Sequence, residues 1–205
     1  MFSGILQVLD AVKYVMKLSE ITQRILWHSS DVPNIKQFHF LSHVGTWAAA
    51  VERSLQSDFF SDMLAGDQAP KTYMYQVNMD GCDKGIQVLD GPDFSEKWDH
   101  IYYNIDRLPQ ELQPFLRKSS YDDWGKKLPG MFRKLGIDFL WYHNRIESPN
   151  SRSYIVLNPG CFKIVGVQAY TPREILLANP QVIDLFVRRG VWPKAQAQKI
   201  KDMLR

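Results

Sequence analysis

The chain has 205 residues, of which 45% are hydrophobic and 13% aromatic, values typical of a globular protein with a real core. Its net charge of +3 is too small to identify a class of partner. Residues 1–9 lack the basic and apolar regions of a secretory leader, and no stretch has the apolar length of a bilayer span. We therefore expect a soluble, cytoplasmic protein without a membrane partner.

Two cysteines, Cys82 and Cys161, are present. They lie far apart and lack the spacing of zinc ligands, so they indicate neither a metal centre nor a disulfide framework. Both observations are typical of a protein in a reducing cytoplasm.

The N-terminal region has apolar residues at helical spacing, including Ile5, Val8, Val12 and Val15. This spacing predicts an amphipathic helix over residues 4–24. The helix could pack on the rest of the chain or mediate self-association. The sequence specifies no oligomeric state.

The next segment predicts two short strands and a helix. Residues 25–30 form a bulky strand that ends in His-Ser-Ser, and residues 38–41 form a second strand. Thr46 is a good N-cap for the alanine-rich helix that follows. Gly45 and Thr46 therefore mark a strand-to-helix junction, where backbone N–H groups can bind a polar ligand.

The remainder of the chain mixes strands and helices. Strands are predicted at residues 73–79, 85–89, 137–142, 153–157 and 162–167, and helices at 94–135 and beyond 171. Ser120 with Asp123 resembles a capping pair, Thr171 and Glu174 form a capping box, and residues 188–205 carry a net charge of +5. A solvated helix face is the simpler interpretation of that charge, and contact with nucleic acid is the alternative.

This order predicts an α+β fold, because strands and helices do not alternate regularly and no Gly-x-Gly-x-x-Gly follows a strand. We divide the chain into an N-terminal helix (1–24), a central domain (25–167) and a helical C-terminal extension (168–205).

Three motifs resemble the ADP-ribosyltransferase-like domain family of phage proteins and polymorphic toxins. They are Leu-Trp-His-Ser-Ser at residues 26–30, Ser-His-Val-Gly-Thr-Trp-Ala-Ala-Ala-Val-Glu-Arg at residues 42–53, and residues 136–163. The third motif is similar to the family's "GYDGIVYEN…E…SYIVF" segment and is the most specific of the three. The resemblance covers residues 25–166, with gaps in the helical middle.

The resemblance implies a split antiparallel β core that grips NAD in a cleft. It also implies loss of nicotinamide from NAD and transfer of ADP-ribose to a macromolecular target, as an effector enzyme would do. NAD is then a substrate, and no metal is required. The transition state would resemble an oxocarbenium ion, as in glycoside hydrolysis.

Roles for individual residues follow from the same resemblance. His28 matches the first-strand histidine that binds a ribose hydroxyl, and the backbone at Ser29 would bind the nicotinamide amide. His43, Gly45 and Thr46 would shape the nicotinamide or ribose pocket. The remaining cofactor-binding residues belong to the third motif: Asn144, Ser153 and Tyr154.

The catalytic carboxylate is expected at Glu147, with His28 as the second catalytic residue. In poly-ADP-ribose polymerases the glutamate directly precedes the strand that here begins at Tyr154, and this chain has Ser153 there. Either the loop brings Glu147 to the cleft in its place, or the domain binds NAD poorly or not at all.

Several alternatives remain open at the level of sequence. A protein is the expected acceptor, and a nucleic acid is the alternative. A non-catalytic binding module on the same fold would also explain the motifs. In the simplest interpretation, His28, Thr46 and Glu147 belong to a buried polar network.

Overall fold

The computed structural model describes residues 15–17, 25–55, 70–91, 96–144 and 151–205, and these contain seven α-helices and two β-sheets. The predicted α+β class is thereby confirmed. In these described segments no helix combines the length and apolar character needed to cross a bilayer.

The described strands form one five-stranded and one three-stranded sheet. In chain order they are β1 (Val15–Lys17), β2 (Ile25–Ser30), β3 (His43–Val44), β4 (Thr72–Asn78), β5 (Lys84–Gln87), β6 (Phe139–Asn144), β7 (Ser151–Val156) and β8 (Lys163–Tyr170). The larger sheet has the order β1-β5-β6-β7-β3, and the smaller has the order β2-β4-β8.

The resemblance implied an antiparallel core, but one pair of strands in the larger sheet is parallel. Strands β5 and β6 run parallel, with Gly85 opposite Phe139 and Gln87 opposite Trp141. A parallel pair needs a long crossover connection, and the helical segment between β5 and β6 supplies one. The other strand pairs that the structure describes are antiparallel.

The described residues form seven α-helices. They are α1 (Trp47–Ser54), α2 (Asp99–Tyr102), α3 (Gln113–Lys118), α4 (Tyr121–Lys134), α5 (Pro172–Ala178), α6 (Gln181–Arg188) and α7 (Lys194–Met203). Both predicted caps are present: Ser120 accepts a hydrogen bond from the backbone N–H of Asp123, and Thr171 and Glu174 form the capping box.

Three apolar clusters hold these layers together. The first lies between the two sheets and includes Leu26, Tyr75 and Tyr154. The second joins the larger sheet to α2–α4 through residues such as Leu140 and Trp124. The third joins α1 to α5–α7, so the C-terminal extension packs directly on the helix that follows β3.

Two predicted elements differ from the structure. Residues 15–17 form β1, which pairs with β5, where the sequence predicted a helix; the rest of that predicted helix lies outside the described residues. Pairing with a neighbouring strand thus outweighs helical spacing here. Residues 38–41 form a turn and not a strand, and Leu41 has a left-handed φ of 69°.

A buried ion pair fixes the C-terminal extension to α1. Arg189, just after α6, donates from Nη1 to Glu52 Oε2 at 2.5 Å, and the Glu52 side chain is only 4% exposed. The carboxylate is deep in the interface between α1 and the extension. Because burying an ion is costly, the intact pair adds little net stability. Removing one partner is nevertheless strongly destabilising, so the packing of the extension on α1 depends on the pair.

The two cysteines form a disulfide, which the sequence did not predict. Cys82 lies between β4 and β5, and Cys161 lies between β7 and β8, so the bond joins two of the connections that cross between the sheets. Their Cα atoms are 4.9 Å apart, within the usual range for a disulfide. Disulfides persist mainly in oxidising compartments. The cytoplasmic location therefore stays a prediction.

Replacing Arg189 by alanine should lower the free energy of unfolding by about 3 kcal/mol, because it leaves the Glu52 carboxylate buried without its cation. Urea denaturation measures this. The matched control is Arg205→Ala, since Arg205 forms an exposed ion pair with Asp202 at 3.8 Å. That control should stay within about 0.5 kcal/mol of the wild type. Equal losses in the two variants would contradict the assigned role of Arg189.

Reducing the disulfide should destabilise the protein by up to about 4 kcal/mol, because the bond closes a long loop between residues 79 positions apart. The measurement compares denaturation with and without dithiothreitol. The Cys82→Ser, Cys161→Ser double variant is the control, and its stability should not respond to dithiothreitol. Two reactive thiols in the unreduced, denatured protein would contradict the bond.

Candidate functional site

The two sheets meet edge to edge at one backbone pair. Trp27 in β2 donates its N–H to the carbonyl of Gly45 at 2.7 Å, and Gly45 donates its N–H to the carbonyl of Trp27 at 2.9 Å. Along the chain, these residues belong to the first and second sequence motifs. Folding therefore joins the two motifs at the edge between the sheets.

Beyond this pair the sheets separate. Backbone groups of a strand point alternately to opposite sides, so Ser29 directs its N–H and C=O to the same side as Trp27, away from β4. A continued ladder would bond Ser29 to His43. No such backbone bond joins them in the described part of the chain. The polar groups of Ser29 consequently face the gap between the sheets.

His28 occupies the position at which the ladder stops. Its Nδ1 lies 2.6 Å from the carbonyl oxygen of His43. A carbonyl only accepts, so Nδ1 carries the proton and donates. In the neutral ring, Nε2 is then a hydrogen-bond acceptor. The ring is half-buried and packs edge-on against Phe38 at a centroid distance of 5.0 Å, which holds it in one orientation.

His43 begins a second group of polar rings on the adjoining face of the larger sheet. Its Nδ1 lies 3.1 Å from the hydroxyl oxygen of Tyr142 in β6. His100 from α2 stacks on Tyr142 at a centroid distance of 4.7 Å and lies 5.1 Å from the His43 ring. His43 is accessible to solvent, whereas Tyr142 and His100 are buried behind it.

Ser153 and Asn144 complete this face. Asn144 donates from Nδ2 to Ser153 Oγ at 3.0 Å, and both side chains are buried. Ser153 is also directly against Gly45: a Cβ added to Gly45 would come within 2.9 Å of Ser153 Oγ. Gly45 thus permits the third motif to approach the second.

Five of the predicted site residues therefore surround one gap: His28, Ser29, His43, Gly45 and Ser153. Asn144 supports Ser153 from behind. Thr46 is adjacent, and its Oγ1 is the N-cap of α1, accepting from the N–H of Ala49 at 3.1 Å. Its position fixes the helix that leaves the gap.

Two predicted site residues are not part of this group. The Tyr154 side chain points to the opposite face of β7 and is buried against Phe139 between the sheets. Because residues alternate across a strand, its side chain does not lie beside that of Ser153, and its role in cofactor binding stays a prediction. Glu147 lies outside the described residues. Asn144 and Ser151, which pair in the register of β6 and β7, stand on either side of residues 145–150.

His100 and Tyr142 were missed in the sequence. The sequence predicts Tyr142 as part of an apolar strand. Tyr142 and Asn144 are two residues apart, so strand alternation could have placed both on the polar face. His100 belongs to a four-residue helix without a recognisable motif, so its position depends on tertiary packing.

The three histidines of the site are neutral near pH 7. Desolvation lowers the pKa of His43, helped by nearby His100, Arg53 and His28, but the residue is partly accessible to solvent and its desolvation is incomplete. Burial also lowers the pKa of His100 to about 4, against the opposing effect of Asp99. The pKa of His28 is lowered by burial, with its bond to the His43 carbonyl acting the other way. The gap therefore offers neutral hydrogen-bonding rings.

No family model matches the chain, and no curated protein or solved structure shows significant similarity to it. Within the described segments, no group of three or more histidine, cysteine, aspartate or glutamate residues is arranged to hold a metal ion.

Acidification should destabilise the protein through His100. Its pKa in the folded state lies below the ordinary value of 6.5, so between pH 6.5 and about 4 this residue binds a proton in the unfolded chain and not in the folded chain. The free energy of unfolding should consequently fall as the pH falls through this window.

Urea denaturation at pH 7.0 and 4.5 measures the loss. His100→Gln should lose less stability on acidification than the wild type does. His143→Gln removes an exposed ring and should behave like the wild type. An unchanged pH dependence in His100→Gln would show that His100 is not held neutral.

Proposed function

We propose that this protein is an NAD-dependent ADP-ribosyltransferase that uses the gap between its two sheets. The observation that carries the proposal is the convergence of the three motifs at the point where the sheets separate. The proposal rests on the resemblance of those motifs and on this geometry.

The backbone of Ser29 suits the nicotinamide amide. An amide group presents one donor and one acceptor in the same plane, and the N–H and C=O of one strand residue present the complementary pair. Because β2 is paired with β4 through its full length, from Ile25 to Ser30, these groups are held rigidly. Rigid placement orients the bond to be broken.

His28 is assigned to a ribose hydroxyl. Nδ1 is engaged by the His43 carbonyl, so Nε2 is the atom that accepts from the sugar. His43 presents a second neutral ring on the accessible side. Gly45 and Ser153 form a wall without a large side chain, which leaves room for the sugar and the nicotinamide ring.

Glu147 is assigned as the catalytic carboxylate. The bond between the nicotinamide nitrogen and ribose C1′ breaks, and nicotinamide leaves with the electron pair while positive charge develops on the ribose. A carboxylate stabilises that charge. The acceptor then attacks C1′, and the carboxylate takes its proton. Ser153 cannot supply this group, so the role falls to the glutamate in the same motif.

The acceptor is a macromolecule, and a protein is the class we propose for it. An effector of the phage or toxin type uses this chemistry to modify a target in the cell that it enters. Incubating extract with biotin-labelled NAD, followed by protease or nuclease, identifies the class of acceptor: protease should remove the label.

The purified protein should release nicotinamide from NAD, and Glu147→Gln should lower the rate by about 10²-fold or more, the usual effect of removing a general base. Chromatography of nicotinamide measures the rate, with cell extract present as a source of acceptor. Calorimetry should show NAD binding to the variant within about threefold of the wild type, since the loss is in the chemical step.

The matched control is Glu111→Gln, which removes an exposed carboxylate outside the site and should leave the rate unchanged. His28→Phe should weaken NAD binding. If neither nicotinamide release nor NAD binding is detected in the wild type with extract, the proposed function is wrong. If NAD binds but Glu147→Gln and wild type turn over equally, the assignment of Glu147 is wrong.

A further inference from the structure

The two histidine rings at the gap are held by different groups. His28 Nδ1 lies 2.6 Å from the carbonyl oxygen of His43, which can only accept a hydrogen bond. His43 Nδ1 lies 3.1 Å from the hydroxyl oxygen of Tyr142, which can donate or accept. Because Nδ1 is engaged in both rings, each ring meets a ligand through its Nε2.

Tyr142 is fixed in place behind His43. It is only 5% exposed, and the His100 ring stacks on it at a centroid distance of 4.7 Å. The His43 ring lies 6.1 Å from the Tyr142 ring and 5.1 Å from the His100 ring, measured between centroids. The Tyr142 hydroxyl therefore reaches Nδ1 from a fixed position and holds the exposed His43 ring in one orientation.

Relative acidity decides the direction of the hydrogen bond between Tyr142 and His43. A neutral imidazole has one N–H and one bare nitrogen. A phenol is a much stronger acid than the N–H of a neutral imidazole, and a bare imidazole nitrogen is a stronger base than a phenol oxygen. The stronger bond forms when Tyr142 donates to Nδ1, and the proton of His43 is then on Nε2.

From this geometry we infer that Tyr142 is a positioning residue, which makes His43 a hydrogen-bond donor next to His28, a hydrogen-bond acceptor. His28 carries its proton on Nδ1 and accepts through Nε2, whereas His43 donates through Nε2. The cis-diol of a ribose offers one hydroxyl to donate and a second to accept. The gap is thereby selective for a ligand with an intact ribose diol.

This inference rests on the proposed function, in which the ribose belongs to NAD, and adds a residue and a specificity to it. His43 contacts the ligand, and Tyr142 acts through His43. The two claims have separate tests, because the tautomers of the histidines are measurable without NAD.

Nuclear magnetic resonance of the 15N-labelled protein at pH 7.5 measures which ring nitrogen carries the proton. His28 should be protonated on Nδ1 and His43 on Nε2, with their signals assigned from His28→Phe and His43→Phe. Tyr142→Phe removes one oxygen atom. In this variant His43 should become a mixture of both tautomers, while His28 stays as in the wild type.

The matched control is Tyr103→Phe, which removes a hydroxyl from an exposed ring outside the site. Both histidines should keep their wild-type tautomers in this control. The circular dichroism of Tyr142→Phe should match that of the wild type, because phenylalanine fills nearly the same space as tyrosine.

Calorimetry tests the selectivity with NAD and with two analogues that lack the 2′- or the 3′-hydroxyl of the nicotinamide ribose, all in a Glu147→Gln background that slows turnover. NAD should bind at least about tenfold more tightly than either analogue, since a site that hydrogen-bonds a hydroxyl rejects ligands without it. His43→Phe should lose the preference against one analogue, and His28→Phe should lose the preference against the other.

With Glu147 intact, Tyr142→Phe should raise KM for NAD by about three- to tenfold and leave kcat within about twofold of the wild type, because it weakens binding of substrate and transition state alike. Tyr103→Phe should leave both constants unchanged.

Two results would overturn the inference while NAD binding stands: a His43 proton on Nδ1 in the wild type, or equal affinity for NAD and both analogues. Absence of NAD binding would overturn the proposed function and the diol selectivity together. NAD binding with the expected tautomers and selectivity but without nicotinamide release would overturn the proposed reaction and support this inference.

Discussion

The backbone pair between Trp27 and Gly45 is the contact on which the candidate site depends. It joins the edge of the smaller sheet to the residue that follows β3. At the next position of the ladder the His43 carbonyl accepts from the His28 ring, and no backbone bond joins it to Ser29 in the described part of the chain. Ser29 and His43 face the gap because of where the pairing stops.

Contacts far from the gap keep this geometry fixed. The disulfide joins two of the connections that cross between the sheets, and the C-terminal extension covers α1 through its apolar face and the Glu52–Arg189 pair. Gly45 is directly followed by the Thr46 cap of α1, so any movement of that helix would be transmitted to the gap. The extension, which lies outside the motifs, therefore supports the site by packing.

Local patterns predicted much of the fold. The strands at β4, β6 and β7 and the caps at Ser120 and Thr171 follow from alternation and capping chemistry, which act over a few residues. Residues 15–17, the disulfide and His100 depend on partners distant in the chain, so local patterns could not place them. Within the candidate site, His28, Ser29, His43, Gly45 and Ser153 of the three motifs lie together, whereas strand alternation places the Tyr154 side chain on the opposite face of β7.

We propose above all that NAD binds where β2 separates from β3. A crystal structure of the protein soaked with NAD tests this most directly. We expect the nicotinamide amide on the backbone of Ser29 and a ribose hydroxyl within hydrogen-bonding distance of His28 Nε2, with the nicotinamide ring beside Gly45. NAD bound at another surface, or a gap filled by protein side chains at saturating NAD, would contradict it.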